Sequence, residues 1–511
     1  MNLLMIYPEF PDTFWAFKHA LKFVNKKVSN PPLGLMTISA LLPKDWNKKL
    51  IDTNIYSLTD EDLDWADLVF ISAMDVQRSK VEELITRVKS RGKTLVAGGP
   101  LFTEDYDQFP QVDHLILNEG EITLPLFIQD YLAGKAKHIY QTDQYIDIHT
   151  SPLPDISLIK FSDYDCMSIQ FSRGCPFQCD FCNVTALLGH EPRVKNAAQI
   201  IGELDQLYAA GWRRNVFFVD DNFIGNKKIL KEEILPALIE WRKGKSGCLF
   251  LTEVSINLAD DKVLMKMLVD AGFISVFIGV ETTDEESLKN CNKKQNVKRD
   301  LIGNIREIQN AGLQVMAGFI VGFDSDTTSI FNRMVDFIQN SGVVTAMVGL
   351  LQAPNKTELY RRLEEQGRII KEMTGDNTDG TSNIVPVMDA TLLRDGYLSI
   401  LDRIYSPKYF YQRIKTFLRE YQPAKSSVTI EWNEVVALLK TIVLIGFDPH
   451  EAFYYWDLFF WTLFKYPSKF PLAITLTVYG YHFHIVSQQN RNALLRQGIA
   501  NIPASGLKLP S

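Results

Sequence analysis

The N-terminal part of the chain alternates short apolar runs with segments of helical periodicity. The apolar runs cover residues 2–7, 49–54, 68–73, 94–97 and 114–117, and a helical pattern covers residues 79–90. Short apolar strands that alternate with helices predict a parallel, doubly wound sheet with helices on both faces. Residues 1–140 are therefore predicted to form a Rossmann-like α/β domain.

A second series of strand-like runs follows, again with helical stretches between them. The runs cover residues 167–171, 215–219, 249–254, 275–280, 314–321 and 343–351. Six consecutive βα units predict a partial (β/α)6 barrel of the TIM type, over residues 166–369. The intervening residues 141–165 are punctuated by proline and lack clear periodicity, which is typical of an interdomain linker.

From about residue 370 the pattern changes, and residues 370–511 are predicted to form a mainly helical extension. Residues 452–464 carry eight aromatic side chains, which either line a pocket for a large apolar substrate or pack the helices together. This stretch contains Asp457 and is too short to span a bilayer. Peripheral association with a membrane surface remains open.

The composition is that of a globular protein in a reducing compartment. The 511 residues are 46% hydrophobic and 23% charged, and the net charge of −7 argues against binding a nucleic-acid backbone as the main activity. Six cysteines in so long a chain do not form a disulfide framework. Residues 1–8 lead directly into a strand without the features of a signal peptide, so a cytoplasmic location is expected.

Three of the cysteines stand at C-x3-C-x2-C spacing, directly after the strand at 167–171: Cys175, Cys179 and Cys182. Three thiolates at this spacing can bind three irons of a [4Fe–4S] cluster. Such clusters usually take four cysteines, so the fourth iron is left open for a substrate or cofactor. Zinc is the rival metal, but structural zinc sites use two knuckles and no second one follows. The other cysteines are isolated and are expected to be small buried apolar residues: Cys166, Cys248 and Cys291.

The stretch from Arg173 to Cys182 resembles the radical S-adenosylmethionine (SAM) enzymes, and the resemblance extends over roughly residues 166–351. In that family the open iron binds the amino and carboxylate groups of SAM. An electron from the cluster then cleaves SAM, and the resulting 5′-deoxyadenosyl radical takes a hydrogen atom from the substrate. Phe181 stands where the family has an aromatic residue beside the adenine. The resemblance also implies a reductant such as a flavodoxin or ferredoxin.

Polar side chains follow several of the predicted barrel strands, where parallel barrels place their chemistry. They could hydrogen-bond the ribose hydroxyls and the ammonium group of SAM: Asp220, Asp221, Glu253, Ser255 and Glu281. The alternative for Asp220, Asp221 and Ser255 is a helix N-cap. The resemblance favours Glu281 as a SAM contact.

Three loops at strand ends of the N-terminal domain are rich in glycine: residues 31–35, 97–100 and 118–121. Glycine lets a backbone approach a bulky ligand closely, although each loop alone also fits a tight turn. Together they resemble the cobalamin-binding domain of the cobalamin-dependent radical SAM class. The resemblance implies these cofactor contacts: Leu33, Gly34, Gly98, Gly99, Pro100, Glu119, Gly120 and Glu121.

One departure concerns the cobalt ligand. Some cobalamin domains carry Asp-x-His-x-x-Gly, but the nearest string here, which contains His149, lacks the glycine and lies in the predicted linker. Cobalamin is therefore expected to bind without a histidine ligand. The helical extension, the run 7–15 and the string 480–483 resemble the subgroup that includes the hopanoid C-2 methylases.

The resemblance implies a methyltransferase that methylates an unactivated carbon of a small, lipophilic substrate such as a hopanoid. One alternative is a cobalamin-binding radical SAM oxidoreductase or cyclase that transfers no methyl group. Another is a non-catalytic corrinoid carrier or electron-transfer protein, which the open fourth iron disfavours. Methylthiotransferases are disfavoured because residues 1–140 contain no cysteine.

Overall fold

The computed structural model describes residues 1–423 and 432–497. Its N-terminal domain is built on a six-stranded sheet whose strands are all parallel, in the order β2-β1-β3-β4-β5-β6. The strands are β1 (Asn2–Tyr7), β2 (Asn47–Asp52), β3 (Leu68–Ser72), β4 (Thr94–Gly98), β5 (His114–Ile116) and β6 (Ile139–Tyr140). The α-helices of this part are α1 (Lys18–Leu21), α2 (Leu33–Leu41), α3 (Asp60–Trp65), α4 (Arg78–Ser90), α5 (Pro100–Asp105) and α6 (Gly120–Leu132).

The interior strand β1 of this sheet is apolar on both faces because helices cover both faces. Leu3, Leu4, Met5 and Ile6 of β1 are all inaccessible to solvent, and they divide between two apolar clusters on opposite sides of the sheet. The strand order reverses between β1 and β3. In open α/β sheets, ligands bind in the crevice at the carboxyl ends of the strands at such a reversal.

The second sheet contains six parallel strands in the order β7-β10-β11-β12-β13-β14, which curve into the predicted partial barrel. A short antiparallel hairpin, β8 with β9, follows the first of them. The strands are β7 (Met167–Ile169), β8 (Ser172–Arg173), β9 (Arg193–Val194), β10 (Val216–Phe218), β11 (Phe250–Glu253), β12 (Phe273–Glu281), β13 (Gln314–Val321) and β14 (Ala346–Leu350). The α/β fold class predicted from the sequence is confirmed.

Helices alternate with these strands and cover the outside of the barrel. They are α7 (Val184–Leu188), α8 (Ala197–Ala209), α9 (Lys227–Ile229), α10 (Leu235–Arg242), α11 (Lys262–Ala271), α12 (Glu285–Asn290), α13 (Leu301–Asn310), α14 (Ser329–Ser341) and α15 (Glu358–Glu365). A π-helical turn, Leu230–Ile234, joins α9 to α10. Between the two sheets, the predicted linker contains three 3₁₀ turns: Ile148–Thr150, Ile156–Leu158 and Phe161–Asp163.

The C-terminal part is helical and packs on the barrel through α14. Its helices are α16 (Ala390–Ile404), α17 (Pro407–Glu420), α18 (Trp432–Leu444), α19 (Ala452–Lys465) and α20 (Phe470–Gln497). The aromatic stretch predicted from the sequence is α19, which packs on α17 and α20. Among the described residues, none of the helices combines the length and the apolar character that crossing a membrane requires.

The N-terminal segment of residues 10–30 and helix α20 cover the gap between the barrel's two edge strands, β7 and β14. On the β7 side, the Asn30 side-chain amide donates to the Ser168 hydroxyl at 3.0 Å. On the β14 side, the Trp15 indole N–H lies 3.0 Å from the sulfur of Met347. Phe14 stacks on Phe483 of α20 with ring centroids 4.1 Å apart. Chain segments distant in sequence therefore complete the barrel wall.

Candidate active site at the cysteine loop

The hairpin β8–β9 brackets the loop that carries the three clustered cysteines. Gly174 opens this loop with φ of +95°, and a Cβ atom there would lie 2.7 Å from the Glu191 carbonyl oxygen. A side chain has no room in this position, so the glycine is required by the turn. The Cys175 amide donates to the Gly189 carbonyl at 3.2 Å. The loop is thus folded back on itself beside the carboxyl end of β7.

The three thiols are half-buried, and burial raises the pKa of each, to about 12 for Cys182. In the described part of the chain, no three His, Cys, Asp or Glu side chains converge as the ligands of one metal ion do. A [4Fe–4S] cluster has a different requirement, because each thiolate binds a separate iron. Three partly exposed thiols on one loop therefore fit a [4Fe–4S] cluster.

A lysine that the sequence did not indicate, Lys293, lies beside the cysteine loop. Lys293 forms an ion pair of 2.5 Å with Glu281, and its ammonium group lies 5.9 Å from the centre of the Phe181 ring. Burial raises the pKa of Cys179, and the charge of Lys293 opposes that increase. The Gln295 amide also donates to the Cys179 sulfur at 3.8 Å. Neither residue belongs to a recognisable motif, so only the fold could identify them.

Glu281 is held in an unusual backbone conformation at the end of β12. Its φ is +66°, and the pairing with β13 shifts register between Gly279 and Glu281. A Cβ atom on Gly279 would collide with the Glu281 carboxylate and lie 2.8 Å from the Lys293 ammonium nitrogen. The strand therefore makes room for this ion pair. The structure places Glu281 at the predicted site, but with its carboxylate committed to Lys293.

The Asp220 side chain is bound to the segment that precedes the cysteine loop. Its carboxylate accepts hydrogen bonds from the Phe171 amide at 3.0 Å and from the Ser172 hydroxyl at 2.5 Å. The side chain is fully buried, and desolvation raises its pKa to about 7. Because both oxygens accept hydrogen bonds from within the protein, Asp220 anchors the backbone that leads into the cysteine loop, and its contact with SAM stays a prediction.

Two other predicted carboxylates remain available. Glu253 is half-buried and has no hydrogen-bond donor to its side chain in the described part of the chain, while Asp221 is exposed. Desolvation and the nearby charge of Asp221 raise the pKa of Glu253 to about 8. Such crowded carboxylates favour a cationic ligand, which would stabilise their ionised form.

Ser255 is less available, because its hydroxyl donates to the Asn257 side-chain oxygen at 2.7 Å. Its backbone amide donates to the Asn222 side chain at 3.2 Å. The side chain does not form an N-cap hydrogen bond to the short helix that follows. Ser255 therefore orders the loop after β11.

Close packing explains most of the glycine-rich positions in the N-terminal domain. A Cβ on Gly98 would lie 2.7 Å from the Ile116 carbonyl oxygen, and one on Gly99, with φ of +96°, 2.7 Å from the Ser72 hydroxyl. A Cβ on Gly120 would meet the Ile38 side chain, and Pro100 is the first residue of α5. Gly34, next to Leu33 at the start of α2, differs because no atom lies within 4 Å of its Cβ position. Gly34 thus retains the open surface that a large ligand needs.

Glu119 and Glu121 form ion pairs with the β8–β9 hairpin. Glu119 accepts hydrogen bonds from the Arg193 guanidinium at 2.8 and 2.9 Å and from the Ile146 amide at 2.7 Å. Glu121 accepts from Arg173 at 2.6 Å. Both carboxylates are almost fully buried. They bind the two arginines of the β8–β9 hairpin and so join the domains, and their contact with a cofactor stays a prediction.

A second contact joins the N-terminal domain to the cysteine loop. The side-chain amide of Asn183, which follows Cys182, donates to the Glu104 carboxylate at 2.8 Å. Burial and the neighbouring charge of Asp75 raise the pKa of Glu104 to about 8. Asp75 and Glu104 follow β3 and β4, so the carboxyl ends of these strands face the cysteine loop.

The chain was compared with known proteins. Residues 169–338 match the radical SAM superfamily, and residues 357–494 match a domain of unknown function, DUF4070. The chain is 39% identical to the uncharacterized methyltransferase sll1242 of Synechocystis sp., over 97% of this chain and 95% of that protein. It is 33% identical to the hopanoid C-2 methylase of Rhodopseudomonas palustris, over 84% of this chain and 80% of that protein.

Two solved structures share the fold over nearly the whole chain. The cobalamin-dependent radical enzyme OxsB aligns with a TM-score of 0.62 and 16% identity, covering 98% of this chain and 81% of OxsB. The radical SAM methyltransferase TsrM from Kitasatospora setae aligns with a TM-score of 0.59 and 12% identity, covering 97% of this chain and 99% of TsrM. The chain therefore belongs to the cobalamin-dependent radical SAM enzymes, in the subgroup of methyltransferases that includes the hopanoid C-2 methylase.

Proposed function

We propose that the protein transfers a methyl group from SAM to an unactivated carbon of a lipophilic substrate such as a hopanoid. The observation that carries this proposal is the position of the cysteine loop. Arg173, which precedes the loop, is bound to Glu121 of the N-terminal domain at 2.6 Å, and Asn183, which follows it, is bound to Glu104. These two contacts support a proposal in which the cluster site and the cobalamin site face each other.

In this proposal, Cys175, Cys179 and Cys182 hold the [4Fe–4S] cluster. Asp221 and Glu253 bind the cationic part of SAM, because their carboxylates lie at the strand ends and form no ion pair with the residues that the structure describes. When bound, the cluster supplies the electron that cleaves SAM, and cobalamin carries the methyl group. Cobalamin would lie at the carboxyl ends of the N-terminal strands, where the surface at Gly34 is open.

Other residues of the chain keep this arrangement in place. The Asp180 amide donates to the Cys291 carbonyl at 3.1 Å, and the Leu359 amide donates to the Asp180 carbonyl at 2.8 Å. The middle of the cysteine loop is therefore tied to both α12 and α15. Lys293 supports the negative charge that thiolates and a cluster bring to this place.

The substrate class rests on the hopanoid C-2 methylase relationship, and hopanoids are lipids. A lipid substrate also agrees with the exposed apolar surface of α18, α19 and the loop between them, where Phe447, Phe453 and Phe464 are 73%, 76% and 79% exposed. We include in the proposal a peripheral contact of this surface with a membrane. A flavodoxin or ferredoxin is proposed as the reductant.

The test uses SAM with a labelled methyl group, reconstituted protein and a hopanoid hydrocarbon. The label is expected on a carbon of the product, with S-adenosylhomocysteine and 5′-deoxyadenosine formed in similar amounts. A modified but unlabelled product would replace methyl transfer by the oxidoreductase or cyclase alternative. Absence of 5′-deoxyadenosine from reduced protein with SAM would favour the carrier or electron-transfer alternative.

A further inference from the structure

The two faces of the barrel strands differ in burial. The outward residues lie under the helices and are inaccessible to solvent, for example Phe218, Val276 and Phe319. The inward residues of the same strands are only half-buried: Phe217, Leu251, Phe277, Met316 and Ile320. Interiors of proteins are normally close-packed. Half-exposed apolar residues on the inner face therefore indicate free space in the barrel lumen.

Two neighbouring glycines on the inner face let larger side chains lie close over the sheet. Gly279 of β12 pairs in register with Gly318 of β13, and Gly318 pairs with Met347 of β14. The Cβ position of Gly279 points at the Glu281–Lys293 ion pair, on the side of the cysteine loop. That of Gly318 points at the ends of Phe277 and Met347. On this face of the sheet, the Glu281–Lys293 ion pair therefore lies near the cysteine loop, and the apolar side chains of Phe277 and Met347 lie next to it.

Trp15, which precedes the barrel residues in the sequence, packs against Phe277 and Met347. Its ring packs edge-on against Phe277 with centroids 5.2 Å apart, and its indole N–H lies 3.0 Å from the Met347 sulfur. Trp15 remains 37% exposed despite these contacts. Because the N–H has a partner, the part of the indole that stays exposed is its apolar surface.

The protein holds Trp15 firmly in this place. The neighbouring Phe14 stacks on Phe483 of α20, and the ring of His482 lies 3.0 Å from the Phe14 carbonyl oxygen. The Thr13 hydroxyl accepts a hydrogen bond from the Ala16 amide at 3.2 Å. A rigid aromatic side chain that borders free space is the kind of residue that dominates recognition of apolar ligands.

We propose that Trp15, together with Phe277 and Met347, forms the wall against which the hydrocarbon skeleton of the substrate lies inside the barrel lumen. This inference rests on the proposed function, since it deepens the assignment of a lipophilic substrate. It makes Trp15 a specificity-determining residue, although it lies about 160 positions before the cysteine motif in the sequence.

The experiment measures tryptophan fluorescence while a brominated tetracyclic steroid hydrocarbon is added from cyclodextrin. Bromine quenches tryptophan on contact, and the chain has eight tryptophans. We expect Trp15→Phe to bind the probe within about threefold of wild type but to lose part of the quenching. Trp15→Ala should bind about tenfold more weakly or worse, as the loss of an aromatic anchor does. Trp65→Ala is the matched control, because Trp65 is 36% exposed on α3 and should leave binding unchanged.

A second variant disturbs the proposed wall itself, because a Cβ atom on Gly318 would lie 2.9 Å from the Phe277 ring and the ring would have to shift. Gly318→Val places a side chain beside Phe277 and Met347, and we expect it to weaken probe binding by about tenfold or more. If Trp15→Ala does not fold, Gly318→Val and the quenching difference for Trp15→Phe decide the matter. Wild-type binding by both Trp15→Ala and Gly318→Val would overturn the inference.

The quenching experiment measures binding and requires no catalytic turnover. Its result can therefore contradict the assignment of Trp15 without contradicting the proposed methyl transfer, and the reverse also holds. If Trp15 is quenched and the labelled methyl group reaches no carbon, the proposed function fails and the apolar lumen stands. If the methyl group reaches a lipid carbon while quenching is identical in wild type and Trp15→Phe, the substrate lies elsewhere and the assignment of Trp15 is wrong.

Discussion

The guanidinium group of Arg173 donates a 2.6 Å hydrogen bond to the carboxylate of Glu121, across the boundary between the N-terminal domain and the barrel. Arg173 lies two positions before the first clustered cysteine, and its other terminal nitrogen donates to Glu119 at 3.1 Å. The side chains of both glutamates are almost fully buried. A displacement of either domain would therefore have to break a buried ion pair beside the predicted cluster.

The first prediction concerns this ion pair. Glu121→Gln should lower the free energy of unfolding by about 2 kcal/mol, the usual size of a buried charged hydrogen bond. Burial alone would raise the pKa of Glu121, but its interactions with Arg173 hold it below the ordinary value. The stabilisation should thus be present above about pH 4.3 and be lost as pH falls through the lowered pKa. Urea unfolding at several pH values measures both effects.

The control for that experiment is Glu83→Gln, which removes an exposed ion pair with Lys80 on α4. Exposed pairs contribute little to stability. Equal destabilisation by the two substitutions, or a pH profile for Glu121→Gln that matches wild type, would contradict a stabilising role for the buried Arg173–Glu121 ion pair.

The second prediction tests the cluster ligands. Replacing Cys175, Cys179 or Cys182 with Ala should abolish the visible absorption of the reconstituted cluster and SAM cleavage together, because two thiolates cannot hold a cluster with an open corner. Cys291→Ala is the sharpest control. Cys291 is buried beside the loop, and its carbonyl, rather than its thiol, accepts the Asp180 amide. Loss of the cluster from Cys291→Ala would mean that it is a fourth ligand.

The third prediction concerns Lys293. A nearby cation stabilises the more negative, reduced state of a cluster, so Lys293→Met should shift the midpoint potential to more negative values. Glu281→Gln removes the opposing charge and should shift it in the positive direction. Redox titration followed by electron paramagnetic resonance measures both variants. Shifts of the same sign would show that Lys293 does not act through its charge.

The fourth prediction follows from the raised pKa of Glu253, about 8, which has desolvation as its main cause. At neutral pH the free protein should hold a proton there, and a cationic ligand should displace it. SAM affinity is thus expected to rise with pH between about 6 and 8. Calorimetry in buffers of different ionisation enthalpy should detect proton release in wild type and less release in Glu253→Gln. An unchanged release would assign the proton to another group.

The fifth prediction tests the exposed apolar surface of α18 and α19. Phe453→Glu combined with Phe464→Glu should reduce flotation with lipid vesicles, because each charge would have to enter the interface. Leu132→Glu is the control, since Leu132 is 65% exposed in the N-terminal domain. Equal flotation of wild type and the double variant would remove the membrane contact from the proposal.

The cobalt ligand remains a prediction from the sequence. His149 is exposed and contacts Asp147, whereas His114 contacts the Lys137 carbonyl at 2.6 Å and packs beside Phe127. Electron paramagnetic resonance of cobalt(II) should therefore lack splitting from an axial nitrogen. If the splitting is observed, His114→Ala and His149→Ala identify its source.

Local chemistry decided what could be predicted from the sequence alone. Apolar periodicity determined the two parallel sheets, because buried strands covered by helices on both sides must be apolar throughout. The spacing of Cys175, Cys179 and Cys182 determined the predicted cluster, because all three ligands lie within eight consecutive residues. Both features can be recognised in the sequence because the residues that define them are close together in the chain.

Only the tertiary structure could decide which polar groups are available. Glu119, Glu121 and Asp220 are spaced like ligand contacts, but their partners are distant in sequence and occupy them. For the same reason, no sequence motif identified Lys293, and the run 7–15 gave no indication that Trp15 contacts the barrel strands. The burial of a residue and its charged partners depend on which distant segments the fold brings together. The sequence around each residue does not indicate which segments those are.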